Sequence, residues 1–164
     1  TSNHAAGERF VLLDSRIIKE TVSNSLVGLE RKYKSVSVGS TLADTAEEDF
    51  TYNAAGLKPY SVVHVEGDRD GSNNLNITWV RRTRIGGELK DGVEIPLSEY
   101  EEKYEVDILD GSDVVRTITT TMPEAYYTSA QQITDFGSVQ SSVDIKVYQI
   151  SNIVGRGFVK TATV

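Results

Sequence analysis

The chain has 164 residues, 38% of them apolar and 25% charged, with a formal net charge of -7. That balance fits a folded chain rather than a disordered one, and an acidic surface repels phosphate, which argues against a nucleic-acid partner. The lack of cysteine excludes a disulfide framework and a thiolate metal site, and no apolar run reaches the roughly 20 residues that a membrane-spanning helix needs.

In chain order, residues 1–8 (TSNHAAGE) are small and polar and are expected to fray. No basic and apolar leader opens the chain. It starts at Thr1 and ends on strand-like sequence at 161–164, so both ends read as cuts from a longer protein. Residues 9–13 (RFVLL) and 16–22 (RIIKETV) read as strands. Residues 32–38 alternate with period two, 41–49 suit a short helix or a loop, and 50–52 suit a strand. Together, 9–58 read as a small β-rich module. Pro59 lacks an N–H and suits the entry to an edge strand, so a boundary is expected there.

Stronger strand signals follow. Val63 and Val65 mark one strand, and a turn at 68–73 leads to Leu75, Ile77 and Trp79 on one face of the next. Tyr104, Val106 and Ile108 form another apolar face, and the turn at 110–113 predicts a hairpin into 114–120. One of Tyr126 and Tyr127 must face outward if they alternate in a strand. Ser129 with Gln132 fits a capping box and Gly137 a helix end, predicting a short helix over 130–136 with Ile133 and Phe136 inward. Val143, Ile145 and Val147 predict a core strand, Gly155-Arg156-Gly157 a turn, and 158–164 a closing strand. About seven strands at this spacing predict an all-β sandwich over 59–164.

Trp79, then Tyr104, Val106 and Ile108, then a late strand with a Gly-rich turn, resemble the fibronectin type III pattern. The tyrosine which that family carries in its sixth strand is missing, its place falling near Val143. A narrower resemblance lies in the run from Ile77 to Gly87, which contains W-x-R-R-T-R, in 93–99 with 104–108, and in 147–151 with 154–157. Residues 8–14 and 57–61 extend it upstream. In order, these segments resemble the C-terminal region of the large tail-hub or host-specificity protein of siphophage-like tails, which gene transfer agents and prophages also carry. The resemblance implies a non-catalytic structural or attachment module in a virion tail. Its implied partners are other tail proteins or sister subunits in a trimeric parent, and a host-surface glycan or protein. A carbohydrate-binding accessory module of a bacterial extracellular enzyme is the alternative that the fold leaves open.

The loop from Arg81 to Glu102 is unusually long for a sandwich. The fibronectin type III topology would bring Arg81, Arg82 and Arg84 close to Arg156 at one end, making these four the candidate binding residues. The competing reading pairs the loop arginines with Glu88, Asp91, Glu94, Glu99, Glu101 and Glu102, and it is favoured for most of them. Arg156, lifted by two glycines, reads as the better contact residue, whose removal would leave stability nearly unchanged. Asp68-x-Asp70-Gly71 with Asn73 reads as a turn rather than a calcium loop, because the closing glutamate is missing. Glu99, Glu101 and Glu102 sit in a loop expected to be flexible, which does not hold a glycosidase pair in place. His4 and His64 are isolated, and neither a nucleophile elbow nor a phosphate loop is present. No catalytic residue, metal site or cofactor is therefore expected.

Overall fold

The computed structural model describes residues 14, 15, 17, 18, 21–88, 92 and 94–164. Strands β1 (Glu30–Tyr33) and β2 (Glu48–Thr51) form a separate two-stranded antiparallel sheet. The strand expected over 9–13 lies outside the described residues. Of the strand expected over 16–22, the described residues Ile17, Ile18, Thr21 and Val22 belong to no strand. The alternation read over 32–38 builds a ladder only as far as Tyr33, because Tyr33 pairs with Glu48, where β2 begins.

The remaining strands are β3 (Val63–Arg69), β4 (Leu75–Val80), β5 (Tyr104–Asp110), β6 (Asp113–Thr120), β7 (Glu124–Tyr127), β8 (Asp144–Ser151), β9 (Gly155–Arg156) and β10 (Lys160–Thr163). They form two antiparallel sheets, β3-β4-β7 and β10-β8-β5-β6, with β9 added to β8. First, second and fifth strands face third, fourth, sixth and last, which is the fibronectin type III-like sandwich expected from the sequence.

The period-two pattern explains why the sheets stack. Leu75, Ile77 and Trp79 of β4 are buried, and so are Tyr104, Val106 and Ile108 of β5 and Ile145 and Val147 of β8. With Val62, Ala125, Tyr127 and Val143 they make one apolar cluster between the sheets. Each large side chain so covered stabilises the fold by about 1.5–3 kcal/mol. Trp79 meets the Tyr104 ring edge-on, with centroids 5.1 Å apart and planes at 71°. Val143, just before β8, is buried.

β3 carries a bulge between Val63 and Glu66, with His64 at a φ of 49°. A bulge on an edge strand breaks the flat ladder that another chain would copy. Asp70 anchors the next turn. Its carboxylate accepts from the N–H groups of Ser72 and Asn74, from Asn74 Nδ2 and from the Tyr126 hydroxyl, at 2.7–2.9 Å. Hydrogen bonds from Asn74 foremost bring its pKa down to about 2. The turn expected at 68–73 falls at 70–74, because Asp68 and Arg69 still pair in β3, and Tyr126 is the outward member of its pair while Tyr127 is buried.

Helix α1 (Ser129–Phe136) lies between β7 and β8 and ends at Gly137, whose φ is 78°. Its capping box is Thr128 with Gln131, one residue before the expected pair. Phe136 packs against the core cluster as expected. Ile133, expected inward, is exposed, and Gln132 is buried in its place. Gln132 accepts from Arg69 Nη1 and from the N–H of Gln140, and donates to the carbonyls of Asn73 and Tyr127. Asp135 accepts from Nε and Nη2 of Arg116, at 2.6 and 2.8 Å, and from the Tyr127 hydroxyl at 2.7 Å, which ties the helix to β6.

Trp79→Ala should cost about 3–5 kcal/mol, because a large side chain at the centre of the cluster leaves a cavity. Urea denaturation measures it. A variant that unfolds with the parent's midpoint would contradict the packing of β4 described here.

Candidate functional site

The 23-residue stretch from Arg81 to Lys103 joins the two sheets. Three arginines at its start fold it back on itself and on the segment before β3. Arg81 donates to the carbonyls of Pro96 at 3.1 Å and Ile95 at 2.6 Å, and its Nε lies 3.8 Å from Glu102. Arg82 donates from Nε to Ser61 O at 2.7 Å and from Nη2 to Ser61 Oγ at 2.8 Å, with its guanidinium over the Tyr60 ring. Arg84 grips Glu99 through Nε and Nη2 at 3.1 and 2.8 Å, and also donates to the carbonyls of Gly56 and Ser98.

The loop expected to be flexible is thus clamped in its described parts. Thr83 and Ser98 share a hydroxyl–hydroxyl hydrogen bond, and Ser98 also donates to Ile85 O. Gly86 sits at a φ of 71°, and a Cβ there would come within 2.9 Å of Pro96 Cγ. Glu99 is nearly buried against Arg84, with 5% of its side chain exposed. Of the six acids considered for pairing, Glu99 and Glu102 meet loop arginines. Asp91 lies outside the described residues.

Arg156 corrects a second expectation. The turn after β8 falls at 152–154, and Gly155-Arg156 returns as β9, with Arg156 opposite Ile150. The glycines do not lift the side chain away from the sheet. Its Nε donates to Glu105 at 2.7 Å, and Nη1 and Nη2 hold both oxygens of Asp107 at 2.6 and 2.9 Å. The guanidinium lies 4.4 Å above the Tyr148 ring. Gly157 follows at a tight approach, where a Cβ would stand 2.6 Å from Pro59 O and 2.9 Å from Gln149 O.

This cluster lies on the outer face of the five-stranded sheet. Glu105 and Asp107 alternate with the inward Tyr104, Val106 and Ile108, and Tyr148 and Lys146 are their cross-strand neighbours. Asp107 is nevertheless 1% exposed, sealed under Arg156 and bonded to Thr117 Oγ1 at 2.6 Å. Burial pushes its pKa up, but hydrogen bonds from Arg156 and Thr117, with the charges of Arg156 and Lys146, bring it below the usual carboxylate range. The hydrogen-bond partners of Arg156 are thus on β5, whereas those of Arg81, Arg82 and Arg84 are in the loop and the segment before β3. The outward parity of Glu105, Asp107 and Tyr148 was readable, but the cover over them was not.

An open cleft of about 610 Å³ between β6 and β7 is lined by Ile118, Met122 and Tyr126 among others, and Glu124 is its single carboxylate. Paired-carboxylate hydrolysis needs a second acid across such a cleft. Among the described residues, no three His, Asp or Glu side chains gather as metal ligands.

No family model and no curated protein matches the chain. Among solved structures it is similar to domains d3–d4 of the rat CD45 extracellular region, at 16% identity and a TM-score of 0.44, over 100% of this chain and 79% of that one. It is also similar to a structure described as FN3tt mut, at 16% identity and a TM-score of 0.41, over 65% of this chain and 94% of that one. Likeness of this degree adds nothing to what the strand order already says.

Arg156→Ala should cost about 1–3 kcal/mol, since it strands a buried carboxylate, the half-exposed guanidinium keeping the loss below that of a fully buried pair. Equilibrium unfolding in urea measures this, and a variant as stable as the parent would contradict it. Asp107 and Asp135 both have lowered native pKa values. The stability they contribute is present above the unfolded value of about 3.9 and is lost as pH falls through the native values. Urea midpoints should hold steady down to about pH 4 and fall below it, less steeply in Asp107→Asn.

Proposed function

We propose that the chain is a non-catalytic structural and attachment module of a phage-like tail hub or tail tip. The ordered set of tail-protein-like segments suggests the setting. One observation favours a scaffold role there: the guanidinium groups of Arg81, Arg82, Arg84 and Arg156 are spent on the chain's own carbonyls, hydroxyls and carboxylates. A loop clamped in this way offers a rigid surface for a sister subunit, another tail protein or an envelope glycan or protein, and supplies no acid–base pair for turnover. On this reading the module resides in the virion tail and enters no membrane.

Antibodies against the chain, applied with gold label to particles induced from the source bacterium, test the reading. Label at the distal end of the tail is the expected result. Antigen confined to a secreted enzyme, with unlabelled particles, would overturn it in favour of the carbohydrate-binding accessory module.

A further inference from the structure

We propose that a second copy of this chain docks on the β1–β2 hairpin, the basic β1 edge of one copy pairing antiparallel with the acidic β2 edge of the next. The inference stands apart from the tail reading. Among the described residues the hairpin has no third strand, and none from 14 to 53 is buried. A two-stranded ribbon in water is marginal, and a third strand or a packing surface is what makes such a sheet persist. The register puts Arg31, Tyr33, Glu48 and Phe50 on one face and Lys32 and Asp49 on the other. Tyr33 and Phe50 meet edge-on at 6.0 Å, yet remain 42% and 55% exposed.

The charges select the occupant. β1 and the residue after it carry Glu30 but also Arg31, Lys32 and Lys34, a net positive set, whereas β2 and the residue before it carry Glu47, Glu48 and Asp49, all negative. Inside the hairpin this match is already made: Lys32 Nζ lies 2.9 Å from Asp49 and 3.5 Å from Glu47, and Lys34 Nζ lies 3.6 Å from Glu47. Each such exposed pair is weak, so their sign matters more than their strength. Pairing β1 with a second β1 would oppose cations, and β2 with a second β2 would oppose carboxylates, both unfavourable across a ladder. Only β1 against the partner's β2 repeats the match and extends the Tyr33–Phe50 face as a ladder. Charged edges normally keep strands apart, but here the two edges carry opposite signs and cancel head to tail. The contact is heterologous, so repeated copies close into a ring or run on.

Because the chain has no cysteine, one introduced thiol reports one position. Glu30 and Thr51 face each other in the hairpin register, and the proposed contact sets Glu30 of one copy beside Thr51 of the next. An equimolar mixture of Glu30→Cys and Thr51→Cys, mildly oxidised, should give the mixed disulfide several-fold over the two symmetric disulfides combined, whereas random pairing would make the two amounts equal. The unsubstituted chain should sediment as a growing oligomer between micromolar and millimolar concentration. A chain that stays monomeric throughout, or disulfides formed at or below the random share, would overturn the proposal, and the sedimentation result stands even if a variant misfolds.

Discussion

The whole arrangement depends on apolar alternation across two facing sheets. Leu75, Ile77 and Trp79 can leave water only by meeting Tyr104, Val106, Ile108, Ile145 and Val147. Once they meet, the odd and even positions of every central strand are committed. The even side chains of β8 and the odd ones of β5 then form an outer face that water should wet. The long connection from β4 to β5 must also cross between sheets, which makes it the part of the chain that most needs fastening.

Arginine does that fastening. A planar guanidinium presents five donors in a rigid fork, against three on a lysine ammonium at the end of a flexible stem. Arg84 joins the adjacent Ser98 and Glu99 to Gly56, two stretches far apart in sequence. Arg116 ties β6 to the helix through Asp135, and Arg156 seals Asp107 on the outer face. Removing one partner of such a pair leaves a carboxylate stripped of water and of its cation, which is why these pairs matter more than ordinary surface bridges. The cations that looked available in the sequence are therefore engaged within the fold, and that shapes the functional reading toward scaffold and contact.

The strands whose side chains face the core were legible because period-two alternation needs no knowledge of the partner. β4, β5 and β8 were read with the correct buried residues, and so was the hairpin at 110–113. Arg84 and Glu99 were also among the charges expected to pair. The helix was found, but Thr128 and Ser129 are both good caps, and only packing selects the first, which buries Gln132 rather than Ile133. Arg156 was misread because two flanking glycines suggest a turn. The ladder to Ile150 moves that turn to 152–154 and swings the guanidinium over Tyr148. Asp107 looked exposed by parity, since no local signal announces a cover supplied from 49 residues away.

The claim that the arginines are internal fasteners is tested most directly by NMR of their side-chain Nε–H groups. Arg82, Arg84, Arg116 and Arg156 each donate from Nε to an acceptor in the fold. Their signals should be resolved and slow to exchange with water near neutral pH. Rapid exchange at Arg84 and Arg156, like that of a free arginine, would contradict the account.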